Sequence, residues 1–307
     1  MTAPKKISER PLRSKPLKLL EGLLLLPRWR CDQPQLFILG LPRSGTTLVY
    51  QYTVHRLSVS YFSNAAGAYP RSPCVATLWE RARKGGYRSD FASNYGATAG
   101  AAAPHEAGRV WSRVFGYEDY VRFEDIPPFD ARRLQNIVAC VQRWNGRTPF
   151  VSKNVKHLLR LDALAKLFPA AAFLVVERDL PDVALSVLRA RHANFGNSTE
   201  WWSARPPDYA SLITLPPPVQ VARQVCSLQQ RMDDDLARLP AARVLRMSYR
   251  DFCARPESLI ELLREKWTPA ELRNEPKERF EFKANAPRTD EEKELRRVLQ
   301  ELEPCPR

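Results

Sequence analysis

The sequence has no closely spaced cysteines, no apolar run of membrane-spanning length and no internal repeat. Its six cysteines, Cys31, Cys74, Cys140, Cys226, Cys253 and Cys305, are scattered, with neither a CxxC pair nor Cys/His ligand spacing. That pattern argues against a structural zinc or a disulfide framework, and it fits reduced thiols in a cytoplasmic protein. The longest apolar run, LLEGLLLLP at 19–27, is too short to cross a bilayer and is interrupted by Glu21. No small-residue cleavage site follows it, so it does not read as a signal peptide. Acid is the scarcer charge. Asp and Glu number 34 against 48 Lys and Arg, a formal net charge of +14, and such a surplus attracts anions. The basic residues are spread along the chain without a recognition-helix, zinc-finger or RNA-binding signature, which argues against nucleic acid as the partner.

What is present is a recurrent alternation of short apolar strands and helices. It predicts an α/β protein with a central parallel sheet. Strands are expected at 35–41, 59–62, 150–152, 173–177 and 243–247. Helices are expected at 44–57, 106–115, 131–144, 157–167, 181–191, 219–239 and 256–266. At 307 residues the chain can bury one large core or two modest ones, and the recurrent strand-helix pattern favours a single domain. We read 1–34 as a basic arm with a short helix, 35–275 as one α/β domain with insertions at 63–108 and 194–218, and 276–307 as a charged tail anchored by Phe280 and Phe282. The first insertion is rich in Gly, Ser, Ala and Tyr without a period, and long stretches of that kind in a compact domain are usually functional. It is read as acceptor-binding and lid material. The Leu-rich segment after the basic arm favours a short helix docked on the core. The alternative is peripheral contact with a membrane surface, with Arg28, Trp29 and Arg30 at the interface.

The segment FILGLPRSGTTL, Phe37 to Leu48, runs from an apolar strand through a Gly-bounded loop into a helix start, the layout of a phosphate-binding loop. Thr46 occupies the slot where a nucleoside-triphosphate loop carries Lys, and the cation sits instead at Arg43. A guanidinium beside the backbone N–H groups and hydroxyls of Ser44, Thr46 and Thr47 makes a donor-rich pocket for a tetrahedral oxyanion. Arg178 leaves the end of a second apolar strand, and Ser186 follows two helical turns later, so both can converge on one anion.

Together these motifs resemble the sulfotransferase family, in its bacterial and tyrosylprotein-type branch. PRSGTT is similar to that family's 5′-phosphosulfate loop. FLVVERDLPDVALSVLRAR, Phe173 to Arg191, resembles its 3′-phosphate segment, with Leu180 where proline is usual. FVSKNVKHLLRLDALAKLFP, Phe150 to Pro169, resembles its lysine segment through Lys153 and His157, with Val155 in place of proline. The stretch 244–267 matches a late strand and turn through Tyr249, Asp251 and Phe252. The resemblance spans roughly Gln35 to Trp267 and implies a three-layer α/β/α P-loop nucleotide-binding fold. It also implies a donor, 3′-phosphoadenosine 5′-phosphosulfate (PAPS), the product 3′-phosphoadenosine 5′-phosphate (PAP), and no metal.

The donor-binding residues so implied are Arg43, Ser44, Gly45, Thr46, Thr47, Leu48, Arg178, Ser186 and Tyr249, with Lys153 reaching the bridging oxygen. The general base is expected at Glu106, in APHEAGRVW, with His105 and His55 as alternatives, and His157 orienting the Lys153 loop. A carbohydrate, lipid, peptide or small metabolite is the expected acceptor. Two rival readings are a Mg²⁺-dependent nucleotide kinase or GTPase, which Thr46 in the lysine slot disfavours, and a non-catalytic nucleotide-binding protein.

Overall fold

Four apolar stretches at the expected places pair into one parallel sheet, and the helices between them cover both its faces. A computed structural model describes residues 15–82, 87–93, 96–116 and 119–302. The basic arm at 1–14 and Cys305 lie outside the described residues; none of the other five cysteines is in a disulfide. Along the chain come α1 (Lys15–Leu25), β1 (Gln35–Leu39), α2 (Thr46–Arg56), α3 (Asn64–Ala68), α4 (Pro73–Ala82), α5 (Gly108–Phe115) and α6 (Pro128–Trp144). They are followed by β2 (Phe150–Lys153), α7 (Leu161–Leu167), β3 (Ala172–Glu177), α8 (Leu180–Phe195), α9 (Tyr209–Leu212) and α10 (Pro217–Leu236). Last come β4 (Val244–Ser248), α11 (Tyr249–Ala254), α12 (Glu257–Lys266) and α13 (Asp290–Glu301).

The sheet order is β2-β1-β3-β4, all parallel. β1 therefore lies between β2 and β3, and its C-terminal end is the switch point at which open α/β sheets bind ligands. Successive strand residues face opposite layers. Phe37, Leu39, Phe173 and Val175 pack with Trp111, Leu134, Leu164, Leu188 and Val225. Leu36, Ile38, Leu174 and Val176 pack with Val49, Tyr52, Phe252 and Leu259 on the other side. Two cores on one sheet make three layers, as the resemblance implies.

Several local expectations are corrected. The strand expected at 59–62 is a single parallel bridge, Ser60 with Phe150. The Ser58 N–H is taken by the Glu271 carbonyl at 2.8 Å and Ser63 caps α3 by accepting from Ala66 N–H, so only one residue runs beside β2. The stretch 63–108 holds two helices, α3 and α4. The helix expected from His157 begins only at Leu161. Asn154 caps a 3₁₀ turn over Val155–Leu159, and Arg160, at φ −128°, breaks it from α7.

The N-terminal helix docks. Its Glu21 is buried and accepts from the N–H groups of Cys74 and Val75 at 3.2 and 3.0 Å, capping α4 from another part of the chain. At the other end, α13 buries Leu295, Val298 and Leu299, and Arg189 on α8 pairs with Glu292 at 2.8 Å. Phe280 stacks on Phe252 with centroids 5.6 Å apart, anchoring the approach to α13.

Candidate active site

Thr46 opens α2 immediately after the loop, so the first N–H groups of that helix lack intrahelical acceptors and face the end of β1. The loop is bent to suit. Arg43 and Gly45 both lie in the left-handed region, φ 70° and 94°, and alternating handedness turns successive N–H groups inward to form an anion nest. Gly45 is required twice over: a Cβ there would overlap the Tyr249 ring, which lies against the loop. Ser44 Oγ is buried and has no hydrogen-bond partner, a donor aimed into the loop and left unused.

On the β3 side, the sequence-predicted arginines and serine form one cluster. Arg43 Nε donates to Ser186 Oγ at 3.0 Å. Arg178 donates to the carbonyls of Arg43 at 3.3 Å and Lys283 at 2.8 Å, and lies 3.4 Å from Asp182. Its Nε has no partner. The guanidinium lies against two adjoining rings, Tyr249 and Phe282, at 5.2 and 5.6 Å from their centroids, which are 6.1 Å from each other. An open cleft of about 450 Å³ runs from Ser44 and Arg178 along the ends of β3 and β4, past Met232, Ser248 and Arg250. Burial raises the Tyr249 phenol pKa, keeping it protonated as a donor.

On the β2 side, Lys153 ends its strand almost buried, and its ammonium pairs with the Glu106 carboxylate and donates to Thr47 Oγ1 at 3.2 Å. Glu106 was expected in the first turn of a helix. It instead precedes α5, whose cap is Ala107 in the left-handed region, and its own carbonyl accepts from Asn154 Nδ2 at 3.0 Å. A Cβ on Gly96 would meet Glu106 Oε1 at 3.0 Å, so the 96–106 stretch wraps this carboxylate closely.

His105 goes elsewhere: its ring packs on Gly67 and its Nδ1 accepts from Ala107 N–H at 2.8 Å. His55 is also apart from Lys153, at the far end of α2. Its Nε2 donates to the Glu275 carbonyl and its Nδ1 accepts from Ser89 N–H, each at 3.2 Å. His157 is fully buried, edge-on to Trp111 at 4.7 Å, and shares a hydrogen bond with Ser152 Oγ at 3.1 Å. Burial first, then the charges of Arg160 and Lys153, push its pKa well below the ordinary 6.5. It braces the strand residue next to Lys153 as a neutral imidazole.

Thus Arg43, Ser44, Gly45, Thr46, Thr47, Leu48, Lys153, Glu106, Arg178, Ser186 and Tyr249 gather along one edge of the sheet, while His105 and His55 do not join them. A model of the sulfotransferase family matches residues 34–266, which is most of the chain. The chain belongs to the sulfotransferase family. The match takes in β1 through α12 and every residue of that edge named above. The sulfotransferase STF1 of Mycobacterium tuberculosis H37Rv has a crystal structure similar to this one at a TM-score of 0.53 and 16% identity, covering 92% of this chain and 77% of that one. STF9 of Mycobacterium avium is similar at a TM-score of 0.53 and 16% identity, covering 93% and 72%. Likenesses this distant bear on the fold. Proteins of curated function give no significant match.

Three contributors to this sulfotransferase's site were not anticipated. Asn154, Gly96 and the Phe282–Lys283 segment all touch it. Phe282 was visible as an aromatic anchor in a charged tail. The other two carry no signal of their own: Asn154 holds a backbone carbonyl with its side-chain amide, and Gly96 acts through packing.

Proposed function

We propose that this enzyme transfers a sulfuryl group from PAPS to a hydroxyl or amine of its acceptor by in-line displacement, releasing PAP. The observation that carries the reading is the layout of the edge. A guanidinium cluster stands on the β3 side of an anion nest, and a buried lysine–carboxylate pair stands on the β2 side.

The residues suit the donor. An unpartnered Ser44 hydroxyl, a glycine against which Tyr249 lies, and an Arg178 Nε without a partner are the features of a cradle for a doubly anionic nucleotide. Arg43, with Ser44, Gly45, Thr46, Thr47 and Leu48, would hold the 5′-phosphate. Arg178 and Ser186 would hold the 3′-phosphate, with Tyr249 beside the nucleoside. When bound, PAPS supplies a sulfuryl group already activated by its anhydride link to phosphate.

The chain's residues do the rest. Lys153 Nζ, fixed beside Thr47, neutralises charge on the leaving side. Glu106 accepts the acceptor's proton on the attacking side. Their ion pair keeps the two in register until the acceptor arrives. PRSGTT and the Lys153–His157 segment support the bacterial and tyrosylprotein-type branch, the five described cysteines, none in a disulfide, support a cytoplasmic setting, and we assign 35–275 as the catalytic unit. Carbohydrate, lipid, peptide and small-metabolite acceptors fit this chemistry alike.

Isothermal titration with PAP, with and without Mg²⁺, combined with labelled-sulfate transfer from PAPS to a panel of acceptors, tests the reading. Metal-independent PAP binding with transfer is expected. Binding that requires Mg²⁺, or preference for ATP, would overturn it in favour of a kinase. PAP binding without transfer to any acceptor would leave a binding protein.

A further inference from the structure

The N-terminal helix has two faces of different character, and only one is used by the fold. The inner face carries Leu17, Glu21, Leu24 and Leu25 at helical spacing, with Leu24 and Leu25 packed on the core. The outer face carries Leu19 and Leu23, 69% and 54% exposed, with Leu20 at 48% and Leu26 just past the helix end at 70%. Isolated exposed leucines are ordinary, but four within eight residues form a continuous apolar ridge.

From Lys15 to Arg30 the exposed charges are of one sign. Lys15, Lys18, Arg28 and Arg30 are all exposed, and the sequence before them adds Lys5, Lys6, Arg10 and Arg13 against Glu9 alone. Glu21 is the single acid between Arg10 and Arg30. It is turned inward, where it caps α4. The helix's own acid is thereby kept off its outer face, and burying it costs the fold less because it takes two N–H donors.

The helix is also held in place rather than loosely tethered. Asn136 donates to the Leu25 carbonyl at 2.7 Å, Trp29 donates to the Leu24 carbonyl at 2.8 Å, and Arg143 lies over the Trp29 ring at 5.6 Å. Among the described residues no helix is long and apolar enough to cross a membrane. A rigid helix with an outward leucine ridge and flanking cations suits the interfacial plane instead.

We propose that the outer face of α1 docks the enzyme onto an anionic lipid bilayer, its leucines entering the acyl boundary and its lysines and arginines meeting the headgroup charge. Apolar burial and electrostatic attraction act together, so neither lipid charge nor the leucine ridge alone suffices. The proposal is independent of the nucleotide reading, because none of these residues touches the site.

The test is co-sedimentation of the full-length protein with vesicles of phosphatidylcholine alone and of phosphatidylcholine mixed with phosphatidylglycerol. Binding to the mixed vesicles is expected, weakening as salt rises and falling to background on neutral ones. The double variant Leu19→Asp, Leu23→Asp should lose roughly tenfold or more of that binding, with an unchanged circular dichroism spectrum and cooperative unfolding as the folding control. Should the double variant misfold, Leu26→Asp, beyond the helix end, supplies the same reading. Equal sedimentation of wild type and variants, or no dependence on lipid charge, would overturn the proposal. So would a concentration-dependent dimer in sedimentation velocity that Leu19→Asp, Leu23→Asp abolishes, since it would give the ridge to a second copy of the chain.

Discussion

The two sides of the loop handle charge in opposite ways. On the β3 side, Arg178 pairs at 3.4 Å with Asp182, which also accepts from the Asn285 N–H at 2.7 Å, and it spends other donors on backbone carbonyls, while Arg43 adds a second guanidinium. On the β2 side, Lys153 is matched by a carboxylate of its own. Positive charge on the first side therefore stays available to an anion, whereas the second side is neutral overall and keeps a proton acceptor in reserve. They also differ in construction. Arg43 and Arg178 leave strand-to-helix turns and Ser186 follows on the second turn of α8, while Lys153 ends a strand and Glu106 precedes a helix.

The strongest way to break this comparison is to remove the reserve. Glu106→Gln should lower kcat by roughly 10²- to 10⁴-fold, the usual range for a general base, and leave PAP affinity nearly unchanged. Lys153→Ala should lower kcat by roughly 10²-fold or more. The double variant should fall little below the worse single one, because the two act as one unit. Single-turnover transfer alongside PAP titration measures both quantities. A loss of PAP binding equal to the loss of turnover would erase the difference between the two sides.

Next in size is the anion side. Arg43→Ala and Arg178→Ala should each weaken PAP binding by roughly 1.5 to 3 kcal/mol, the value of a charge-assisted hydrogen bond. At saturating donor most of kcat should remain. Unchanged affinity in both would remove the nucleotide from this cluster.

Gly45→Ala sharpens the loop that joins the two sides. A left-handed backbone costs a non-glycine residue about 1–2 kcal/mol, and the added Cβ also meets the Tyr249 ring. Weaker PAP binding is expected, and on a Tyr249→Ala background the added penalty of Gly45→Ala should shrink. Calorimetry of the full double-mutant cycle decides it, and an equal penalty in both backgrounds would mean that backbone strain alone sets the cost.

The same contrast explains what could be read in advance. All four sheet strands lie within two residues of expectation, since apolar runs bounded by turn residues encode them locally. Arg178 and Ser186 were legible because strand direction and helical pitch fix where they point. The segment 63–108 was not, because NAAGA has no apolar period and α4 takes its cap from Glu21, some fifty residues earlier. Sequence ranked Glu106 ahead of His105 as the base without excluding either. Adjacent residues in extended chain face opposite ways, and only the placement of Lys153 shows which of them looks into the site. Helix α13 hid its Leu295, Val298 and Leu299 stripe among charges, although the spacing was there to read.

The smallest effect is expected from acid, and it bears on the β2 side through His157. Its folded pKa is depressed, with burial the chief cause, so its contribution to stability is fully present above the unfolded value near 6.5 and is lost as pH falls below it. In that window the unfolded chain takes up a proton that the folded one refuses. Stability should decline by about 1.4 kcal/mol per pH unit from this group alone. His55 is lowered in the same direction, so the wild-type slope below pH 6.5 carries both. His157→Asn should remove its share and leave that of His55. Urea midpoints at successive pH values separate the two. An unchanged slope in His157→Asn would mean that the folded ring takes up a proton as readily as the unfolded one, which would overturn its reading as a neutral brace beside Lys153.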